Sequence, residues 1–176
     1  IAIAENMDDI KTRYRDNYKE KSCEFKEYLT KVLCKFVEDE SIKELLNVTK
    51  QYYTEYDFSF WTSIDELGED YDKLKPYLEK KKIQVSDDQK IYVNGVADLM
   101  LLTEDDSLYI IDYKSDSRVR KSGGQYMTLT DEEFSEHLRK YDGQLTLYRI
   151  AMSKVFGIPK DKISTVLYDM YNGMDR

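Results

Sequence analysis

Three charges stand inside what otherwise read as two buried strands. Tyr92 to Ser115 runs YVNGVADLMLLTEDDSLYIIDYKS, two apolar runs flanking the polar loop Thr103-Glu104-Asp105-Asp106-Ser107. Each run is short and rich in β-branched and aromatic residues, as expected of a hairpin of buried strands. Asp98, Asp112 and Lys114 lie within these runs, where a charge is costly unless it is paired or metal-bound. Counting outward from the loop pairs Leu102 with Leu108, Met100 with Ile110, and Asp98 with Asp112. Partners across an antiparallel pair point to one face with Cβ atoms roughly 5 Å apart. Lys114 shares that face, about 7 Å further along the strand. A one-residue bulge would void the count.

Two carboxylates that close disfavour joint ionisation, and a divalent cation removes the conflict by accepting oxygen ligands from both. Such an ion activates a water and stabilises charge on a phosphoryl oxygen. Lys114 could orient that water or neutralise the developing charge. The same pattern is met by a buried Asp–Lys ion pair with no catalytic task. Carboxylates about 5 Å apart also suit a retaining glycosidase, but that mechanism needs one protonated acid and no adjacent lysine.

The elements that must position these residues follow from periodicity. Residues 1–48 read as a helical lead-in and residues 49–176 as the core of a single domain. Ile1 to Lys21 is charged, with weak helical spacing through Met7, Ile10, Tyr14 and Tyr18, and a start without Met is expected of a fragment of something longer. Ser22 to Glu38 is amphipathic through Phe25, Leu29, Val32, Leu33 and Phe36, and Ser41 opens a short helix. Lys50 to Ile64 is strand-like, with Tyr52, Thr54, Tyr56, Phe58 and Phe60 on one face and Tyr53, Glu55, Asp57 and Ser59 on the other. Asp65 to Lys82 predicts a short helix ended or kinked at Pro76, lying over the sheet as an insertion.

Ser115 to Thr130, with Gly123-Gly124, reads as a mobile loop. Its Arg118, Arg120 and Lys121 are either solvated or a phosphate clamp at the mouth of the site. Thr130 and Glu133 form a capping box opening one long helix. Its buried stripe runs Phe134, Leu138, Tyr141, Leu145, Tyr148, Met152, Val155. Gln144 and Tyr148 are neighbours on that helix at i and i+4. Tyr148 belongs to the packing stripe, whereas the Gln144 amide is free to contact a phosphate or orient another group. Gly157-Ile158-Pro159 ends the helix, and Ile163 to Tyr171 closes the sheet.

These segments carry a resemblance. Gly95-Val96-Ala97-Asp98 followed by Ile110-Ile111-Asp112-Tyr113-Lys114-Ser115 resembles the G-x-x-D … (D/E)-x-K core of the PD-(D/E)XK nucleases, most closely the RecB-like branch. Tyr141-Asp142-Gly143-Gln144-Leu145-Thr146-Leu147-Tyr148 resembles that branch's Q-x-x-x-Y helix, and Glu55-Tyr56-Asp57-Phe58 its E-x-x-F strand. The motifs occur in family order over more than half the chain and look most like the C-terminal nuclease domain of AddA-type helicase–nucleases.

The resemblance implies an α/β, restriction-endonuclease-like fold: a mixed sheet of about four or five strands flanked by helices, after an N-terminal helical segment. It implies metal-dependent cleavage of DNA phosphodiester bonds, as the exonuclease part of a helicase–nuclease in double-strand-break repair and recombination. Asp98 and Asp112 would hold Mg²⁺, or Mn²⁺ in its place, with the Tyr113 backbone carbonyl beside Lys114. Lys114, Gln144 and Tyr148 would complete the catalytic set, supported by Glu55. The partners implied are DNA, helicase domains of the same parent chain and a second subunit. The alternative is a catalytically inactive nuclease-like domain that binds DNA or a partner. It is favoured by one departure: the family commonly takes a metal ligand from a histidine before the E-x-x-F strand, and none precedes Glu55 here. The single histidine, His137, reads as a surface residue. Some members hold an iron–sulfur cluster on four cysteines; Cys23 and Cys34, eleven residues and about 16 Å apart on one helix face, cannot supply it.

A chain of 176 residues suffices for one domain with a real core. A net charge of −8 disfavours a free-standing DNA binder, since phosphate contacts supply most non-specific affinity. It suits a domain whose DNA is delivered by a larger basic partner. No stretch has the length of a membrane span, and no membrane partner is expected; the cytoplasm is the expected compartment. By itself the chain is expected to fold but to cleave DNA poorly, and better with Mn²⁺ than with Mg²⁺.

Overall fold

The computed structural model describes residues 18–86, 88–116, 118–122, 125–170 and 173–175, with side chains omitted for 18–25, 28, 120–122, 126 and 173–175. The expected helical spacing through Met7, Ile10 and Tyr14 lies outside the described residues. Two compact units divide between Asp39 and Glu40. In the first, α1 (Tyr18–Glu38) is one continuous helix, and Cys34 on it is a free, exposed thiol. No helix among the described residues is long and apolar enough to cross a membrane.

The second unit runs α2 (Glu40–Asn47), β1 (Thr49–Thr62), α3 (Ile64–Leu67), α4 (Glu69–Lys80), β2 (Ile91–Thr103), β3 (Leu108–Lys114), β4 (Val119–Ser122), β5 (Gln125–Thr128), α5 (Asp131–Leu138), α6 (Asp142–Phe156), β6 (Ile163–Asp169) and β7 (Gly173–Asp175). Five strands form one mixed sheet in the order β1-β2-β3-β6-β7. β3 and β6 are its parallel pair, which requires the long crossover that α5 and α6 supply. This is the α/β, restriction-endonuclease-like architecture expected above.

The β2–β3 turn is built by its own side chains. The Thr103 hydroxyl sits 2.9 Å from the Ser107 carbonyl, and the Ser107 hydroxyl donates to Asp105 at 2.9 Å. Asp106 takes the left-handed conformation there, with φ 63°. The hairpin register is the one counted from the loop, with Leu102 opposite Leu108 and Met100 opposite Ile110. It stops at Leu99 opposite Ile111, so the expected Asp98–Asp112 ladder pair does not form.

The reason lies one strand over. β1 and β2 keep one register from Gln51–Leu102 to Thr62–Ile91, yet their faces do not alternate throughout. Tyr53 and Tyr56 both pack on the main core, as do Met100 and Ala97 opposite them. A three-residue step between inward side chains on both strands marks a matched irregularity, Glu55 on β1 against Asp98 on β2. Glu55 has φ 49°, and the ladder omits both residues. An extra residue on one strand would shift the register; one on each cancels. The expected inward face of β1 therefore holds from Tyr56 onward and fails before it, where Tyr52 and Thr54 are exposed and Tyr53 turns inward.

The core joins Phe58, Ala97, Met100, Leu108 and Ile110 of the sheet to Tyr148, Ala151 and Met152 of α6. The opposite side of α6 is covered by α3 and α4, where Ile150 packs with Leu67 and Leu74. Gly143 makes that approach possible: a methyl built there would overlap Cβ and Cγ of Tyr77. α4 thus lies over the second face of α6, and Pro76 stays within it.

Two expectations change. The long helix from Thr130 keeps its capping box, but a 3₁₀ turn at Arg139–Tyr141 divides it into α5 and α6, and Val155 is exposed rather than on the buried stripe. The supposed loop after Ser115 contains an antiparallel ribbon, β4 with β5, pairing Val119 with Thr128 and Ser122 with Gln125. Gly123-Gly124 between them is the two-residue signature of a hairpin, which the polar composition masked.

Candidate active site

The site lies where the β2–β3 ladder ends. There the Asp98 carboxylate leaves the ladder pattern and accepts the Tyr113 backbone N–H at 2.9 Å. Asp98 therefore replaces a missing strand hydrogen bond with a charged acceptor, the stronger kind. Asp112 is 1% exposed, and α6 reaches it from the core side. Gln144 Nε2 donates to Asp112 Oδ1 at 3.3 Å and to the Tyr148 hydroxyl at 2.6 Å. The Tyr148 hydroxyl donates to the Val96 carbonyl at 2.9 Å and stands 3.3 Å from Asp112 Oδ1. Tyr148 is thus both a core residue, its ring edge-on to Phe58 at 5.8 Å, and a polar contact of the site.

The two Asp112 oxygens are treated differently. Oδ1 is held by α6. Oδ2 forms an ion pair with Lys114, yet this contact lacks hydrogen-bond geometry and Oδ2 is buried without a directional donor. Burial pushes the Asp112 carboxyl up; Lys114 opposes the shift, and the negative charge of Asp98 adds to it. Burial likewise pushes the Tyr148 and Tyr113 hydroxyls up to about 12, with Asp98 adding to both.

Two carboxylates and one ammonium leave this patch short of positive charge. Carboxylate oxygens are the donors a hard divalent cation takes, and Asp98 and Asp112 match such an ion in donor chemistry, with Lys114 already paired to Asp112 Oδ2. Among the described residues no three His, Cys, Asp or Glu side chains group together as a metal site.

The other expected residues are distributed around this centre. Glu55 is exposed, its charge near enough to act on the Tyr113 hydroxyl. Arg118 is tied by an ion pair to Asp131 and lies 4.4 Å from the Phe134 ring centroid, which anchors the ribbon to α5. The side chains of Arg120 and Lys121 lie outside the described residues. His137 is no surface residue: it is half-buried, stacks on Phe134 and stands 2.9 Å from Asp116 Oδ1. Sequence reasoning passed over Asp116 itself and the Val96 carbonyl. An acid two residues beyond Lys114, in a segment read as loop, was the available signal for the first; a backbone acceptor has none.

The family model of the PD-(D/E)XK nuclease superfamily matches residues 3–175. The chain belongs to the PD-(D/E)XK nuclease superfamily. Among relatives, it is 34% identical over 86 residues to a large ATP-dependent helicase/nuclease protein of Limosilactobacillus fermentum, covering 49% of this chain and 6% of that protein. It is 30% identical over 108 residues to the protein of the same name from Carboxydothermus hydrogenoformans, covering 61% and 7%. Against that of Clostridium acetobutylicum it is 28% identical over 125 residues, covering 70% and 8%. The chain thus spans less than a tenth of the length of these relatives.

Proposed function

We propose that the chain is a metal-dependent deoxyribonuclease domain, the exonuclease part of a helicase–nuclease acting in double-strand-break repair and recombination. The observation that carries this reading is the convergence of Gln144, Tyr148 and Lys114 on Asp112, beside Asp98. The position in the chain of each motif agrees with it, as does the likeness to ATP-dependent helicase/nuclease proteins.

Asp98 and Asp112 would hold Mg²⁺, with the Tyr113 carbonyl beside them and Mn²⁺ able to substitute. When bound, that ion makes a water nucleophilic at neutral pH and draws charge from the phosphoryl oxygen. The protein's own part is positioning. Gln144 and Tyr148 occupy Asp112 Oδ1 and leave Oδ2 toward Lys114. The Lys114 ammonium then orients the attacking water or meets the charge that develops on the phosphate. With a net charge of −8, the domain needs its DNA delivered. The proposed source is the helicase domains of the same parent chain together with a second subunit, with Arg118, Arg120 and Lys121 as phosphate contacts.

A second reading, a domain that binds DNA or a partner without cutting, is favoured by the lack of a third metal-ligating side chain grouped with the two aspartates among the described residues. One pair of measurements separates them. In the full-length helicase–nuclease, Asp112→Ala should abolish metal-dependent DNA degradation while sparing ATP hydrolysis and unwinding. In the 176-residue chain, Mn²⁺ should bind through Asp98 and Asp112 and support cleavage of single-stranded DNA better than Mg²⁺. Cleavage near the wild-type level in the variant rejects the assignment; no Mn²⁺ binding selects the inactive domain.

A further inference from the structure

Asp116 lies outside the motifs above, yet three side chains converge on it. Its Oδ2 accepts the Tyr141 hydroxyl at 2.6 Å, and its Oδ1 stands 2.5 Å from Lys140 Nζ and 2.9 Å from His137 Nε2. Burial works against the Asp116 charge, but the Lys140, Tyr141 and His137 contacts outweigh it and hold the carboxyl at about 2. The group is therefore a fixed anion throughout the neutral range. Tyr141 belongs to the 3₁₀ turn between α5 and α6. Its ring carries the Lys114 ammonium, with Nζ 4.5 Å from the ring centroid. Lys140 Nζ stands 4.7 Å from the same ring.

We propose that Asp116 is a positioning residue: by holding the Tyr141 hydroxyl it fixes the ring face on which Lys114 rests, and so aims the ammonium at Asp112 Oδ2. The lysine's catalytic task rests on the nuclease reading; its placement does not. A lysine is a point charge on a flexible four-carbon stem. An ion pair alone fixes the distance of such a charge and leaves its direction loose, as the geometry at Asp112 Oδ2 illustrates. The ring supplies the second contact, because a cation is attracted to the face of an aromatic. A tyrosine ring fixed only by packing can tilt, whereas one bonded through its hydroxyl to a half-buried carboxylate cannot without breaking a charge-assisted hydrogen bond.

The test uses the whole chain and two readouts. In side-chain NMR, the Lys114 ε-methylene protons should be shifted upfield by the Tyr141 ring. Asp116→Ala and Tyr141→Phe should both move them toward ordinary lysine values, with Asp116→Asn in between because it keeps an acceptor. In DNA cleavage with Mn²⁺, each single variant should lower kcat about tenfold and change KM by less than about twofold. The double variant should lose no more than either single, because both remove one link. Thermal unfolding controls for folding, and if Asp116→Ala does not fold, Tyr141→Phe and Asp116→Asn carry the test. An unmoved Lys114 resonance in the folded variants, or losses that multiply in the double variant, overturns the proposal. Failure of the unaltered chain to cleave DNA with any metal counts against the nuclease reading alone, and the NMR result still decides the placement of Lys114.

Discussion

Two buried aspartates, reached from consecutive residues of one helix, behave in opposite ways. Tyr148 of α6 contacts Asp112 on the sheet side, and Arg149 contacts Asp70 of α4 at 3.3 Å. Asp112 is 1% and Asp70 6% exposed, and burial is the largest influence on both carboxyls. Asp70 is ringed by three cations: Arg149, Lys160 and, at 3.6 Å, Lys73. They overcome burial and hold its carboxyl below the usual range. Asp112 has one cation and a second carboxylate nearby, and its carboxyl rises. Burial therefore does not separate the acid that ties two helices together from the one proposed to bind metal. The balance of surrounding charge does: Asp70 is saturated and ties α4 to α6, while Asp112 is left short of positive charge in a manner that suits an incoming cation.

The largest effect expected from this contrast is catalytic. Asp112→Ala should lower metal-dependent DNA cleavage by roughly 10³-fold or more, whereas Asp70→Asn, assayed at a temperature where it is folded, should leave kcat within about threefold of the wild type. Steady-state kinetics on a single-stranded oligonucleotide decides this, and comparable losses in both would erase the distinction. Next comes metal linkage. At about 100 times its Kd, Mn²⁺ should stabilise the wild type and Asp70→Asn by about 2.7 kcal/mol and Asp112→Asn by almost nothing. Thermal unfolding with and without Mn²⁺ reads this out, and an equal rise in Asp112→Asn would remove that residue from the ligand set.

Without metal the two substitutions should have opposite signs. Asp70→Asn should destabilise the fold by about 2 kcal/mol, below the usual penalty for a broken buried pair, because the Lys73, Lys160 and Arg149 side chains are 58%, 42% and 30% exposed. Asp112→Asn should be neutral or stabilising at pH 7, since it removes a buried charge with little compensation.

The pH dependence follows the same signs. Asp70 has a lowered folded pKa, so its contribution is present above its unfolded value of about 3.9 and lost as pH falls through the folded one. Asp112 has a raised folded pKa, so it removes stability as pH rises from about 3.9 through the folded value. Urea unfolding between about pH 3 and 7 should therefore show a shallower acid-side loss in Asp70→Asn and less fall with rising pH in Asp112→Asn; parallel curves for both would refute the contrast. The smallest effect is Lys73→Ala, about 0.3 kcal/mol, because that lysine is the most exposed of the three and stands 3.6 Å away. A loss comparable to that of Asp70→Asn would make Lys73, rather than Arg149 and Lys160, the anchor of the cluster.

The sequence by itself determined the hairpin, its register as far as Met100 opposite Ile110, and the adjacency of Gln144 and Tyr148 on α6. Each follows from short-range rules: a turn built by Thr103 and Ser107, alternation along β3, and i, i+4 spacing on α6. It also carried the family, because motif order along a chain is a property of sequence. Tertiary structure alone decided four other things. The matched irregularity at Glu55 and Asp98 depends on two strands at once, so neither strand's pattern reveals it. The break at Arg139–Tyr141 overrides a helical periodicity that continues unbroken, in a turn whose Lys140 and Tyr141 side chains contact Asp116 beside His137 of the preceding helix. Asp116 and His137, read as loop and surface, become a half-buried cluster only when α5 is brought over the end of β3. And Asp70, one acid among many in the helix after β1, acquires its three cations from its own helix, α6 and the segment before β6. Alternation and helical spacing state which side of an element is buried. Which charges then surround a buried acid depends on neighbours distant in sequence, and that is what separates Asp70 from Asp112.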